Sequence, residues 1–167
     1  AILNAADPEA LKRQGLFAVV CDGMGGMDDG NAASEAAVEA MGQLFRSLLE
    51  EGDVPQQLRE GVLAVSDGVF QRFQGRSGTP AVAVRVLGTE LHWLSVGARA
   101  IFLKRGECVF QLNREHTCLN DLYLEELRRE PIQRERAEQD EDARRLTAFV
   151  GMDHLDRVDQ SLRPWRL

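Results

Sequence analysis

Leu16-Phe17-Ala18-Val19-Val20-Cys21-Asp22-Gly23-Met24-Gly25-Gly26 is an apolar run of strand length that ends in an acid and a glycine-crowded turn. A helical pattern follows from about Asn31 to Leu49. A buried strand that delivers one carboxylate into such a turn presents a ligand to a metal ion or a phosphate. Gly23, Gly25 and Gly26 permit positive φ and close backbone approach to a bound group. Asp22 offers oxygen to a hard cation such as Mg²⁺ or Mn²⁺. The carbonyl of Gly23, unshielded by a Cβ, is a second candidate ligand. A plain strand–turn–helix connection with a capping Asp would use the same residues, and on residue chemistry alone both readings stand.

Outward from the turn, two amphipathic helices come first. Ala37, Val38, Met41, Leu44, Phe45, Leu48 and Leu49 form one apolar stripe, with Asn31 or Ser34 as its cap and Glu51-Gly52-Asp53 as its end. Leu58, Val62, Val65, Val69 and Phe73 form the second, interrupted by Gly61 and Gly68, which weaken it but allow close packing on its partner. Both stripes read as core-facing. Gln74 to Pro80 is a turn-rich hinge, after which the period changes from helical to alternating. Strands are expected at about 15–21, 80–87, 90–96, 99–104 and 108–112, and helices at about 31–50 and 55–73. The short links at Gly88-Thr89, Gly97-Ala98 and Arg105-Gly106 predict an antiparallel meander, with Trp93 and Phe102 in its core. Ala5 to Gln14 reads as a polar loop, Leu119 to Glu130 as a helix, Ile132 to Arg145 as a flexible charged insert, and Leu155 to Leu167 as one further strand.

The chain has 167 residues, which fits one domain, and a net charge of −7 that argues against a general nucleic-acid surface. No apolar run approaches the ~20 residues of a membrane span, and no signal-peptide pattern is present. The three cysteines, Cys21, Cys108 and Cys118, are an odd set without C-x-x-C spacing and read as free thiols of a reducing, cytoplasmic protein. Cys21 reads as core packing rather than a nucleophile. His92, His116 and His154 are scattered, which disfavours zinc.

Phe17 to Ser34 reads F-A-V-V-C-D-G-M-G-G-M-D-D-G-N-A-A-S. This resembles the signature of the metal-dependent type 2C (PPM) Ser/Thr protein phosphatases, close to F-x-V-x-D-G-M-G-G-x-x-x-G-E-x-A-S, in the Met24 form typical of bacterial members. Asn31 replaces the usual Glu. Gly78-Thr79 resembles the family's G-T-T segment, Glu115-His116-Thr117 its D-H-S/T, and Leu146 to Gly151 its L-T-R-A-L-G. His116, alone in a loop, reads as structural. The resemblance implies an α+β fold: a central β-sandwich of two antiparallel sheets flanked by helices. It implies hydrolysis of phosphoserine and phosphothreonine in proteins by a water activated on two Mn²⁺ or Mg²⁺ ions. Asp22 matches the bridging metal ligand and Gly23 the backbone-carbonyl ligand. The expected partner is a phosphorylated protein, with neither nucleic acid nor membrane, in a signalling role.

Some departures from the pattern bear on activity. Where some eukaryotic members carry a candidate general-acid His, this chain has Met24, so water would have to protonate the leaving alkoxide. The family's V-G-D-S-R appears as Val96-Gly97-Ala98-Arg99-Ala100, so the Asp that helps hold a third metal is replaced by Ala98, and Arg99 brings a positive charge near that position. The upstream R-x-x-N-E-D and the downstream S-D-G-L/V and G-x-x-D-N motifs are not in these residues, and both ends look cut. Residues 1–167 are therefore expected to be a single partial phosphatase-like domain. The intact parent would be the enzyme and this segment alone inactive. The alternative is a catalytically inactive phosphatase-like binding or regulatory module, which Ala98 favours.

Overall fold

The computed structural model describes residues 1–4, 7–24, 29–48 and 52–167. Ala5, Gly25, Gly26, Leu49 and Glu51, named above, lie outside the described residues. The elements run β1 (Ile2–Asn4), α1 (Pro8–Gln14), β2 (Leu16–Cys21), α2 (Gly30–Ser47), α3 (Val54–Phe73), β3 (Ala81–Leu87), β4 (Glu90–Val96), β5 (Phe102–Arg105), β6 (Cys108–Gln111), α4 (Cys118–Glu126), α5 (Arg134–Glu138), β7 (Asp159–Gln160) and β8 (Trp165–Arg166). This is an α+β fold with two antiparallel sheets, as expected. The larger has the order β1-β2-β3-β4-β7, with β8 also on β4, and the smaller is the β5-β6 hairpin.

Alternation along β2 and β3 buries one face of the large sheet. Phe17 and Val19, together with Ala81 and Ala83, turn toward the helices. The stripes of α2 and α3 close over them through Ala37, Met41, Phe45, Leu58, Val62 and Val69. Phe17 stacks on Phe45 with ring centroids 5.1 Å apart, an aromatic pairing worth ~1 kcal/mol beyond its area. A Cβ on Gly61 would overlap the side chain of Leu44, so this glycine does let α3 approach α2. Gly68 has open space around it and plays no such part. Asp53 caps α3 by accepting from Gln56 N at 3.2 Å.

Several expectations are corrected. Residues 8–14 form α1 rather than a loop, with Pro8 tolerated in the first turn, where its missing N–H is an orphan anyway. The cap of α2 is Asp29 in the left-handed region, without a side-chain hydrogen bond, and Ser34 Oγ instead donates back to Asn31 O. The meander divides, because β3 and β4 stay in the large sheet while β5 and β6 form their own. Phe102 is 63% exposed, whereas Trp93 is buried as expected. The charged segment after Pro131 is packed: Ala137 and Ala143 are buried, and Arg136 Nη1 meets the buried carboxylate of Glu126 at 3.3 Å. Its poverty in apolar residues hid this contact, which is ionic. The C-terminal stretch makes two short strands instead of one.

Candidate functional site

Asp22 leaves β2 at the end of the sheet where β3 begins. Cys21 pairs with Ala81, Ala81 pairs with Val96, and Asp22 N donates to Pro80 O at 3.4 Å. The ends of β2 and β4 therefore flank the start of β3. The turn after Asp22 folds onto the first residues of α2. A Cβ on Gly23 would overlap the Gly30 carbonyl, and one on Gly30 would meet the Met24 carbonyl at 2.6 Å. Backbone against backbone at this distance is what requires glycine at both positions. A hollow of about 520 Å³ beside the turn is lined by Gly23, Met24, Asp29, Gly30, Asn31 and Glu35 among others.

The carboxylate of Asp22 is not free: Oδ2 accepts from Nη2 of Arg99. Both side chains are about half exposed, 57% for Asp22 and 44% for Arg99. Arg99 lies three residues beyond β4 in a turn that is pinned on both sides. Gly97 N donates to His116 Nδ1 at 3.0 Å, and His116 N donates to Gly97 O at 3.0 Å. Buried Asn113 donates through Nδ2 to Arg99 O at 2.8 Å and to Ser95 Oγ at 2.9 Å, and accepts from Ile101 N at 2.6 Å. Gly97 has φ +92, and a Cβ there would press on Pro80 at 2.8 Å. Burial lowers the pKa of His116, which keeps it neutral and able to accept at Nδ1. Its role is structural, as read from the sequence, and it holds the turn that carries Arg99.

The segments matched to the family pattern come together. Thr79 and Val150 exchange backbone hydrogen bonds at 3.0 and 2.9 Å, Thr117 bridges Leu146, and Gly151 N donates to Ser66 Oγ at 2.9 Å. Cys21, beside Asp22, has its thiol pushed up to about 11 by burial, so it is not a nucleophile at neutral pH. The three cysteines are free.

A two-ion centre needs several hard oxygen ligands around both metals. Among the described residues no group of three or more His, Cys, Asp or Glu could hold an ion. Asp22 and the Gly23 carbonyl supply two oxygens, and the carboxylate is already paired with a guanidinium. The described residues thus do not by themselves fit a two-metal site. Sequence reasoning noted the charge of Arg99 but not its partner, and it missed Asn113, for which a single sequence carries no signal.

No protein-family profile and no curated protein matches the sequence. Solved structures do. A Stage II sporulation E family protein from Thermanaerovibrio acidaminovorans is similar at a TM-score of 0.71 and 28% identity, over 91% of this chain and 70% of its own. The serine/threonine phosphatase Stp1 from Staphylococcus aureus is similar at 0.74 and 22% identity, over 89% of this chain and 60% of its own. The PPM Ser-Thr phosphatase MsPP from Mycobacterium smegmatis, in complex with cacodylate, is similar at 0.64 and 24% identity, over 85% and 60% respectively. This chain therefore spans 60% to 70% of the length of these three proteins. The chain has the α+β fold of the PPM-type Ser/Thr phosphatases.

Proposed function

We propose that residues 1–167 are part of a phosphatase domain whose complete form hydrolyses phosphoserine and phosphothreonine in proteins, with Mn²⁺ or Mg²⁺ as cofactor. The observation that carries this reading is the placement of Asp22 and Gly23 at the end of a central strand, in a turn closed on α2, within a fold shared with Ser/Thr phosphatases. In this reading Asp22 is the shared carboxylate ligand and the Gly23 carbonyl a second ligand. Bound metals would neutralise phosphoryl charge and activate water. Within this chain, Asn113 and His116 would fix the turn opposite, and Gly23 would let the backbone close on α2. The test is turnover of p-nitrophenyl phosphate and of a phosphothreonine peptide by the complete protein across Mn²⁺ concentrations. Asp22→Ala is expected to abolish it, and a metal-dependent rate near that of the unmodified protein would end the assignment.

A second reading is favoured by the Asp22–Arg99 pair and by Ala98. The domain would then be a phosphatase-like module that binds or regulates without catalysis. Absence of turnover in the complete protein at every Mn²⁺ concentration, with retained binding of the phosphopeptide, would select it.

A further inference from the structure

The turn that carries Arg99 hangs on an acceptor that a proton can remove. Gly97 follows β4 with φ +92 and is itself buried. Its N–H donates to His116 Nδ1 at 3.0 Å, and its carbonyl accepts from His116 N at 3.0 Å. An imidazole that accepts at Nδ1 is neutral, with its proton on Nε2. Protonation places an N–H on Nδ1 as well, directly against the Gly97 N–H. Two donors then meet where a hydrogen bond stood. Burial of Gly97 denies its amide a water in exchange, so the N–H is left unsatisfied unless the backbone moves.

That movement has a short path to Arg99. The carbonyl of Ala98, the next residue, accepts from Arg99 Nη1 at 2.7 Å. The same guanidinium reaches Asp22 through Nη2. The carbonyl that aims Arg99 therefore lies one peptide beyond the carbonyl that His116 also holds. On the far side of the turn Asn113 Nδ2 donates to Arg99 O at 2.8 Å, and an amide does not titrate. One anchor of the turn is thus sensitive to protons and the other is not. Glycine at the sensitive anchor gives the backbone room to rotate.

His116 is half-buried and lines a hollow of about 500 Å³. Burial is the largest influence on its charge and opposes protonation, as do Arg157 and Arg114, while Asp159 and Asp121 favour it. Asp121 already accepts from Arg157 Nη1 at 2.7 Å, and Asp159 from Arg114 N at 2.6 Å. Glu115 beside it in the loop, Arg59 of α3 and Asp156 complete the charged wall. The pKa lies below its ordinary 6.5 in consequence, so the ring is neutral at pH 7 and gains its charge only as the pH falls.

We propose that His116 is a proton-operated latch: neutral, it holds the Gly97 turn and keeps Arg99 on Asp22, and protonated, it releases the turn and opens the Arg99–Asp22 pair. The latch governs when the Asp22 carboxylate is available, whatever ligand takes it, and does not depend on the phosphatase reading.

The test follows the whole protein by NMR from about pH 7.5 to 5. The His116 ring signals, the Gly97 amide and the Arg99 Nε–H are expected to change with one shared midpoint below 6.5. The methyl signal of Met41, in the core, should stay unmoved. Protection of the Gly97 amide, referred to the intrinsic exchange rate at each pH, should fall at least about tenfold across that midpoint. In His116→Asn the side-chain oxygen sits where Nδ1 does and accepts without titrating. Gly97 and Arg99 should then lose their pH response and stay closed. If that variant does not fold, the shared midpoint in the unmodified protein decides. A Gly97 amide that stays protected while His116 titrates, an Arg99 signal that is unmoved or has a different midpoint, or a pH response that persists in His116→Asn would each overturn the proposal. Loss of the Met41 signal at the same midpoint would also overturn it, since the protein would then be unfolding as a whole.

Discussion

Replacing Arg99 by Ser should convert Asp22 from an ion-paired carboxylate into an available metal ligand. The magnitude follows from the exposure of the pair. With Asp22 57% and Arg99 44% exposed, the attraction that a metal must displace is worth about 1 kcal/mol at most. A divalent ion held on the same carboxylate also feels the guanidinium, and two positive charges against one at ~4 Å in a water-like dielectric repel by about 2 kcal/mol. Removing Arg99 therefore favours Mn²⁺ by about 2–3 kcal/mol, roughly 30- to 150-fold in dissociation constant. The turn itself should survive, because Asn113 and His116 hold its backbone rather than the Arg99 side chain. The assay is Mn²⁺ titration followed by the spin-resonance signal of the free ion, at low ionic strength, where screening does not erase the effect. The double variant Asp22→Asn with Arg99→Ser should return to weak binding. If Arg99→Ser binds Mn²⁺ within twofold of the unmodified protein, the ion pair does not control the carboxylate and the reasoning fails.

Gly23→Ala should cost about 1–3 kcal/mol in urea unfolding, since its methyl overlaps the Gly30 carbonyl, a backbone atom that cannot swing away; an unchanged midpoint would refute the close approach. Glu126→Ala should cost about 1–3 kcal/mol and loosen residues 132–145 to proteolysis, because it removes the buried carboxylate that takes charge-assisted contacts from half-exposed Arg136 and Arg129 and joins α4 to α5; proteolytic resistance equal to that of the unmodified protein would argue against it. His116 and His92 have folded pKa values depressed below their ordinary 6.5, so the unfolded chain binds more protons near that pH. Their contribution is full above about pH 6.5 and is lost as the pH falls below it; a thermal midpoint that does not fall between pH 7 and 5.5 would contradict this. At pH 8 iodoacetamide should label exposed Cys108 first and spare Cys21, whose thiol sits near 11; equal labelling by mass spectrometry would show that the burial of Cys21 is wrong.

Much of the fold was legible because its signals are local. The alternation of β3 and β4, the helical stripes of α2 and α3, and the glycine turn after Cys21 each need only neighbouring residues to be read, and each lies within a few residues of its expected bounds. Short elements without a strong period were not legible: α1 and α5, seven and five residues long, are too short to show a helical stripe, and the two-residue strands β7 and β8 pair only along β4. Phe102 read as core because alternation cannot tell which sheet a strand joins. By itself the sequence determined where a carboxylate meets a glycine turn, and that an arginine stands where the family pattern has none. Only the tertiary structure decided that these two side chains, 77 residues apart, meet, because their strands both pair with β3 and end at the same register. It alone buried Arg85 beside His92, since a charged residue in a strand looks the same in one dimension whether it faces water or the core.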